Sequence, residues 1–142
     1  MVDGIGSLIS ECFYDGAIQN TAVPVPEWVE MTGLFQEQTV CWYSTELRPN
    51  RHESQQDRSY RNNCEVQQMK ALLGNLDLVL SAQNCDEKIK VLLLAPYSAQ
   101  VNAIRQSLQS IVLPSGNLSL EVNTVDAAQG READVLLFST TR

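Results

Sequence analysis

The residues that most restrict the fold are Val135, Leu136, Leu137 and Phe138, an apolar run with no polar side chain on either face of a strand. Such a run suits a parallel sheet packed between helices on both sides. Leu118, Leu120 and Val122 alternate ahead of it, and Asn123 to Glu132 break the pattern, so the segment reads as apolar strand, polar turn, apolar strand. Ile89 to Ala95 is a further buried strand, followed at once by Pro96-Tyr97-Ser98-Ala99-Gln100 and a helix bearing Val101, Ile104, Leu108 and Ile111 that Pro114 ends. Strand, short polar turn and helix make up a βαβ half, in which ligands gather at the carboxyl ends of the strands. The class is α/β.

The polar turn offers a hydroxyl (Thr124), two carboxylates (Asp126, Glu132), an amide (Gln129), a glycine (Gly130) and a guanidinium (Arg131). Gly130 permits a backbone turn that a Cβ hinders, which lets its neighbours converge on a ligand. Arg131 has the fork that grips phosphate bidentately, and Glu132 is an acceptor for a ribose hydroxyl. Gln-Gly-Arg-Glu alone reads equally well as a solvated loop.

The longer run TVDAAQGREADVLLFSTTR resembles motif V and its extension in superfamily 1 helicases, in the branch with the pattern T-V-D-x-x-Q-G-R-E-x-D-V. Its fixed positions are Thr124, Val125, Asp126, Gln129, Gly130, Arg131, Glu132 and Asp134, followed by Val135. The Ala95-Pro96-Tyr97-x-x-Gln100 run is similar to motif IV of the same family. Ile5-Gly6-x-Leu8-Ile9-Ser10-x-x-Phe13-Tyr14-Asp15-Gly16 is similar to the opening of its second motor domain.

The resemblance implies that residues 1–142 are part of a second RecA-like motor domain, truncated at both ends. Motif IV lies near 95–100 and motif V over 123–135 of an incomplete three-layer sandwich with a mostly parallel sheet. It implies ATP as cofactor, met by Gly130, Arg131 and Glu132, with Gln129 coupling the ATP and polynucleotide sites and magnesium supplied by the first motor domain. It implies single-stranded DNA or RNA as partner, with Thr124, Asp126, Tyr97 and Gln100 on that side, and the first RecA-like domain as the other partner. Tyr97 reads equally well as a packing residue.

The rest of the chain bounds this reading. Ile5, Leu8, Ile9, Cys12 and Phe13 share one helical face over residues 3–14, with Asp3 as a cap, and Tyr14-Asp15-Gly16 stops the helix. Residues 17–38 hold Pro24, Pro26 and Gly33 and read as loop, with a short helical turn at Glu27 to Met31. Thr39 to Tyr43 is β-branched and aromatic and predicts a strand, with Trp42 as core in preference to a base-stacking platform. Ser44 to Arg61 sets Arg48, Arg51, Arg58 and Arg61 among Glu46, Glu53 and Asp57, and the acids favour a solvated loop over a phosphate-binding surface. Asn62 and Glu65 form a capping-box arrangement for a helix from Asn63 to Ser81 with Val66, Met69, Leu73, Leu76 and Leu80 on one stripe.

With 142 residues, the chain is one domain's worth. A formal charge of −7 argues against a broad basic face. Cys12, Cys41, Cys64 and Cys85 lack any C-x-x-C pair and His52 is the single histidine, so no metal site is expected. The cysteines read as reduced thiols in a cytoplasmic setting, a nuclear one being admissible, and no membrane span or signal peptide is visible.

No G-x-x-x-x-G-K-[ST] phosphate loop occurs. The family's Gln-Tyr-Arg-Met arginine, expected ahead of residue 1, and its motif VI arginine, expected beyond Arg142, are also missing. The isolated chain is therefore expected to show no ATPase, the hydrolase activity belonging to the parent helicase. The competing reading is a non-catalytic nucleotide- or partner-binding module that keeps the helicase fold. A weaker third is an unrelated doubly wound nucleotide-binding domain.

Overall fold

A computed structural model describes residues 3–19, 25–26, 28–29, 39–83 and 86–141. Its contacts divide the chain into two compact units, Met1–Tyr43 and Ser44–Arg142.

The first unit contains helix α1 (Asp3–Tyr14), as the periodicity predicts. Its buried face is not the apolar stripe: Ser10 is buried, while Phe13 is 78% exposed and Cys12 is an exposed free thiol. The chain after the helix explains this, because the Ser10 hydroxyl donates to the Ile18 carbonyl at 3.0 Å and accepts from its N–H at 3.2 Å. Gly4 lies against Thr39, where a Cβ would stand 1.9 Å from the hydroxyl oxygen. The expected strand at Thr39–Tyr43 is not formed, and Trp42 is 80% exposed rather than core. Strand propensity needs a paired neighbour to be realised, and none is present among the described residues. Trp28 and Val29 are helical, while Glu27 and Met31 lie outside the described residues.

The second unit carries the sheet. The stretch read as a solvated loop contains a small hairpin, β1 (Ser54–Gln56) and β2 (Ser59–Arg61), paired antiparallel with Ser54 opposite Arg61. Asp57 makes the turn at φ +55°. Helix α2 (Asn63–Ala82) follows, burying Val66, Met69, Leu73, Leu76 and Leu80. Leu73 and Leu80 are fully buried, a contribution of about 1.5–3 kcal/mol each.

Strand β3 (Ile89–Ala95) leads to α3 (Ser98–Leu108), then to β4 (Leu118–Thr124), a 3-10 turn (Asp126–Ala128) and β5 (Val135–Phe138). Helix α3 stops before Ile111, where the Ser110 hydroxyl turns back onto the Ser107 carbonyl at 3.0 Å and offers the backbone an alternative to another helical turn.

The sheet order is β4-β3-β5, all parallel, with Lys90 opposite Ser119, Ala95 opposite Thr124 and Val91 opposite Val135. The polar segment between β4 and β5 is thus a crossover past β3 rather than a turn between neighbours. Ile89, Val91, Leu93 and Ala95, on one face of β3, are all at most 1% exposed, and α3, which contacts β3 and β4 and packs on α2, covers them. The opposite face is more open: Leu136 is 57% and Phe138 51% exposed, so β5 is not covered on both sides as its sequence predicts. The class is α/β, an incomplete RecA-like sandwich.

Candidate functional site

Two polar regions lie at opposite ends of this sheet. Parallel β4 and β5 oblige the crossover to return from the carboxyl end of one strand to the amino end of the other. From Lys90 to Ala95 that is about 16 Å of strand.

At the carboxyl end, Thr124 closes β4 beside Ala95. The Thr124 hydroxyl accepts from the Ala127 N–H at 3.4 Å and so starts the 3-10 turn that holds Asp126 exposed. Tyr97, half-buried, heads α3 and meets Tyr60 of the hairpin edge-on, with ring centroids 5.3 Å apart. The Ser59 hydroxyl accepts from the Ala99 N–H at 3.0 Å. It supplies α3 with the cap that Tyr97, the residue at the cap position, does not provide.

Gln100, expected on the polynucleotide side, is fully buried. Its Oε1 accepts from the Asn62 N–H at 2.7 Å, and its Nε2 donates to the Asn62 carbonyl at 3.2 Å and to the Ser139 hydroxyl at 2.8 Å. With both ends of the amide occupied in the interior, Gln100 presents nothing to a ligand and positions backbone instead. Asn62 caps α2 as predicted, accepting from Cys64 and Glu65 N–H. The reciprocal half of the box is altered: Glu65 meets the Asn62 side-chain amide at 3.2 Å, since Gln100 has taken the Asn62 N–H. Glu65 also accepts from the Ser139 hydroxyl at 2.5 Å and the Thr141 N–H at 3.0 Å. The starts of α2 and α3 and the chain leaving β5 are thereby tied in one buried knot. Asn62 and Glu65 were legible as a helix cap, but their contact with residues 139–141 has no local sequence signal.

At the amino end, and so away from the carboxyl ends where a βαβ unit is expected to gather its ligands, Gly130 turns the crossover at φ +79° with open space where a Cβ would stand. Beside it lies a concavity of about 370 Å³, lined by Lys90, Leu92, Ser119 and Glu121 of the sheet's open face and by Gly130, Arg131, Glu132 and Ala133. Gln129 is exposed and outside this lining. Arg131 forms an ion pair with Glu121 at 3.4 Å, with 57% and 46% of the two side chains exposed. The wall is anchored by Asp134, whose Oδ2 accepts from the Lys90 N–H at 2.8 Å and whose N–H donates to the Lys90 carbonyl at 3.0 Å. Lys90, Ser119 and Glu121 were missed from sequence. A lysine interrupting the apolar run Ile89–Ala95 was the available signal.

The concavity has the volume of a small-molecule site. Two cations, Lys90 and Arg131, and two carboxylates, Glu121 and Glu132, line it, a set that fits an anionic ligand with sugar hydroxyls once Arg131 exchanges Glu121 for it. Among the described residues no cluster of His, Cys, Asp and Glu is arranged to hold a metal ion, and no helix is long and apolar enough to cross a membrane.

No curated protein matches the sequence. A family model described as an AAA domain matches residues 1–142. With that match spanning the sequence, the chain belongs to the AAA domain family, a domain found in superfamily 1 helicases.

Proposed function

We propose that this chain is the second RecA-like motor half of an ATP-dependent superfamily 1 helicase. In this reading the concavity at the amino end is its contribution to the ATP cleft, and the carboxyl end is its contribution to the nucleic-acid track. The observation that supports the reading is the separation of the crossover's polar groups. Gly130, Arg131 and Glu132 share one open concavity, while Thr124 stands beside the carboxyl end of β3 with Tyr97 close by in the chain. One continuous segment thus carries a guanidinium at one end and a hydroxyl at the other, a separation that suits a part coupling two ligands.

Arg131 and Lys90 would hold phosphate oxygens, and Glu132 would accept from ribose hydroxyls. ATP supplies the free energy of phosphoryl transfer when bound between this chain and a first motor domain that carries the phosphate loop and the magnesium ligands. Thr124 would hold the polynucleotide backbone, Asp126 and Gln129 would sit along the connecting turn, and Gln100 would act only by fixing the turn that bears Tyr97.

The test is to mix this chain with a separately produced first RecA-like domain and measure ATPase with and without single-stranded nucleic acid. Stimulated turnover that appears in the mixture and falls at least tenfold with Arg131→Ala or Glu132→Ala is expected. Turnover that survives both substitutions removes the site assignment. Association without any turnover favours a non-catalytic module.

A further inference from the structure

By sequence Ser44 to Arg61 reads as a solvated loop because Glu46, Glu53 and Asp57 dilute its arginines. The structure leaves its cations uncompensated: among the described residues the one ion pair is Arg131–Glu121, so Arg51, Arg58 and Arg61 have no carboxylate partner. Arg51 and Arg58 are exposed and Arg61 half-buried. Four arginines face three carboxylates between Ser44 and Arg61, a net positive segment on a chain whose formal charge is −7.

The hairpin Ser54–Arg61 is also fixed in place. Its Ser59 hydroxyl caps α3 through Ala99, Tyr60 packs on Tyr97, and the Arg51 carbonyl accepts from the Asn62 side chain at 2.7 Å. These contacts hold the backbone that carries the arginines against the start of α3, which follows the carboxyl end of β3 where Thr124 is paired with Ala95.

We propose that Arg51, Arg58 and Arg61 form a phosphate-binding surface that extends the nucleic-acid track from Thr124 and Tyr97 onto the hairpin, its ligand being the backbone of a single strand. This rests on the polynucleotide side of the function proposed above. A surface held by hydrogen bonds to two helix starts keeps its cations spaced without further ordering, which lowers the entropy cost of binding. Guanidinium groups without acidic partners release no ion pair when they meet phosphate.

The experiment is fluorescence anisotropy of a labelled single-stranded oligothymidylate, and of its uridylate counterpart, with the full chain between 50 and 200 mM salt. Removing three phosphate contacts lowers the slope of log affinity against log salt by about 2, and a single contact by about 0.7. The triple variant Arg51→Gln, Arg58→Gln, Arg61→Gln is expected to bind roughly tenfold or more weakly at 50 mM salt, with the slope reduced by that amount. Arg58→Gln alone, at the exposed turn, keeps the test valid if the triple variant does not fold.

An unchanged slope in both variants overturns the proposal. If Thr124→Ala or Tyr97→Ala weakens binding at the same time, the earlier reading survives its loss. Failure of the unaltered chain to bind either oligonucleotide sinks both. Displacement of the oligonucleotide by inorganic phosphate at equal ionic strength reduces the surface to a simple anion site and overturns the track.

Discussion

Replacing Gln100 with methionine keeps nearly the same side-chain volume and deletes all three of its hydrogen bonds, so the loss in stability isolates their worth. The contacts are not equivalent. The Asn62 N–H has Gln100 Oε1 as its acceptor at 2.7 Å in a fully buried setting, and an orphaned donor there costs about 1–3 kcal/mol. The Asn62 carbonyl retains the Val66 N–H at 3.2 Å, and the Ser139 hydroxyl retains Glu65. Each of those losses is worth only ~0.5 kcal/mol.

The total for Gln100→Met is about 2–4 kcal/mol, a large share of the ~5–15 kcal/mol that holds a domain folded. With a urea dependence of ~2 kcal/mol per molar, the unfolding midpoint followed by far-ultraviolet circular dichroism falls by about 1–2 M. Gln100→Glu is expected to be at least as damaging, since it replaces the donating Nε2 with an oxygen facing the Asn62 carbonyl. A midpoint shift under ~0.3 M for methionine, or wild-type stability for glutamate, refutes the assigned network.

Asn62→Asp, neutral at most helix N-caps, is expected to destabilise by about 1–2 kcal/mol. It removes the donor to the Arg51 carbonyl and sets a second carboxylate where Glu65 lies 3.2 Å from the present amide; equal urea midpoints for the two proteins would contradict this. Burial, with the nearby Cys41 adding to it, raises the Tyr43 phenol above its ordinary 10.0. The stability tied to its neutral form is therefore complete below pH 10.0 and is lost as pH rises through the folded value. The phenolate absorbance that disappears in Tyr43→Phe should rise at higher pH in the folded chain than in urea, and the reverse order is the refuting result.

Local periodicity sufficed wherever a segment's own residues decide its state. Ile89–Ala95 and Val135–Phe138 are strands as read, the strand begun at Leu118 runs on through Asn123 and Thr124, and Asn62 caps the start of α2 as expected. Motif spacing was equally local and singled out Gly130, Arg131 and Glu132, but the concavity beside them is completed by Lys90, Ser119 and Glu121 from β3 and β4. The failures occur where a distant partner decides. Thr39–Tyr43 has strand-forming residues and no strand to pair with, and Ser10 faces inward because Ile18 folds back onto it. Gln100 was placed on the ligand side by its motif alone, and its interior partners, Asn62 and Ser139, 38 and 39 positions away, leave no local signal.

The sequence by itself thus determined the α/β class, the three strands of the parallel sheet and the chemical inventory of the crossover. Tertiary structure alone decided that the crossover passes β3 to reach opposite ends of the sheet, that Gln100 is interior, and that the hairpin arginines stand without acidic partners. The physical reason is that backbone propensity and side-chain period act over a few residues, whereas strand order, burial of an amide and ion pairing are settled by which remote segments the chain brings together.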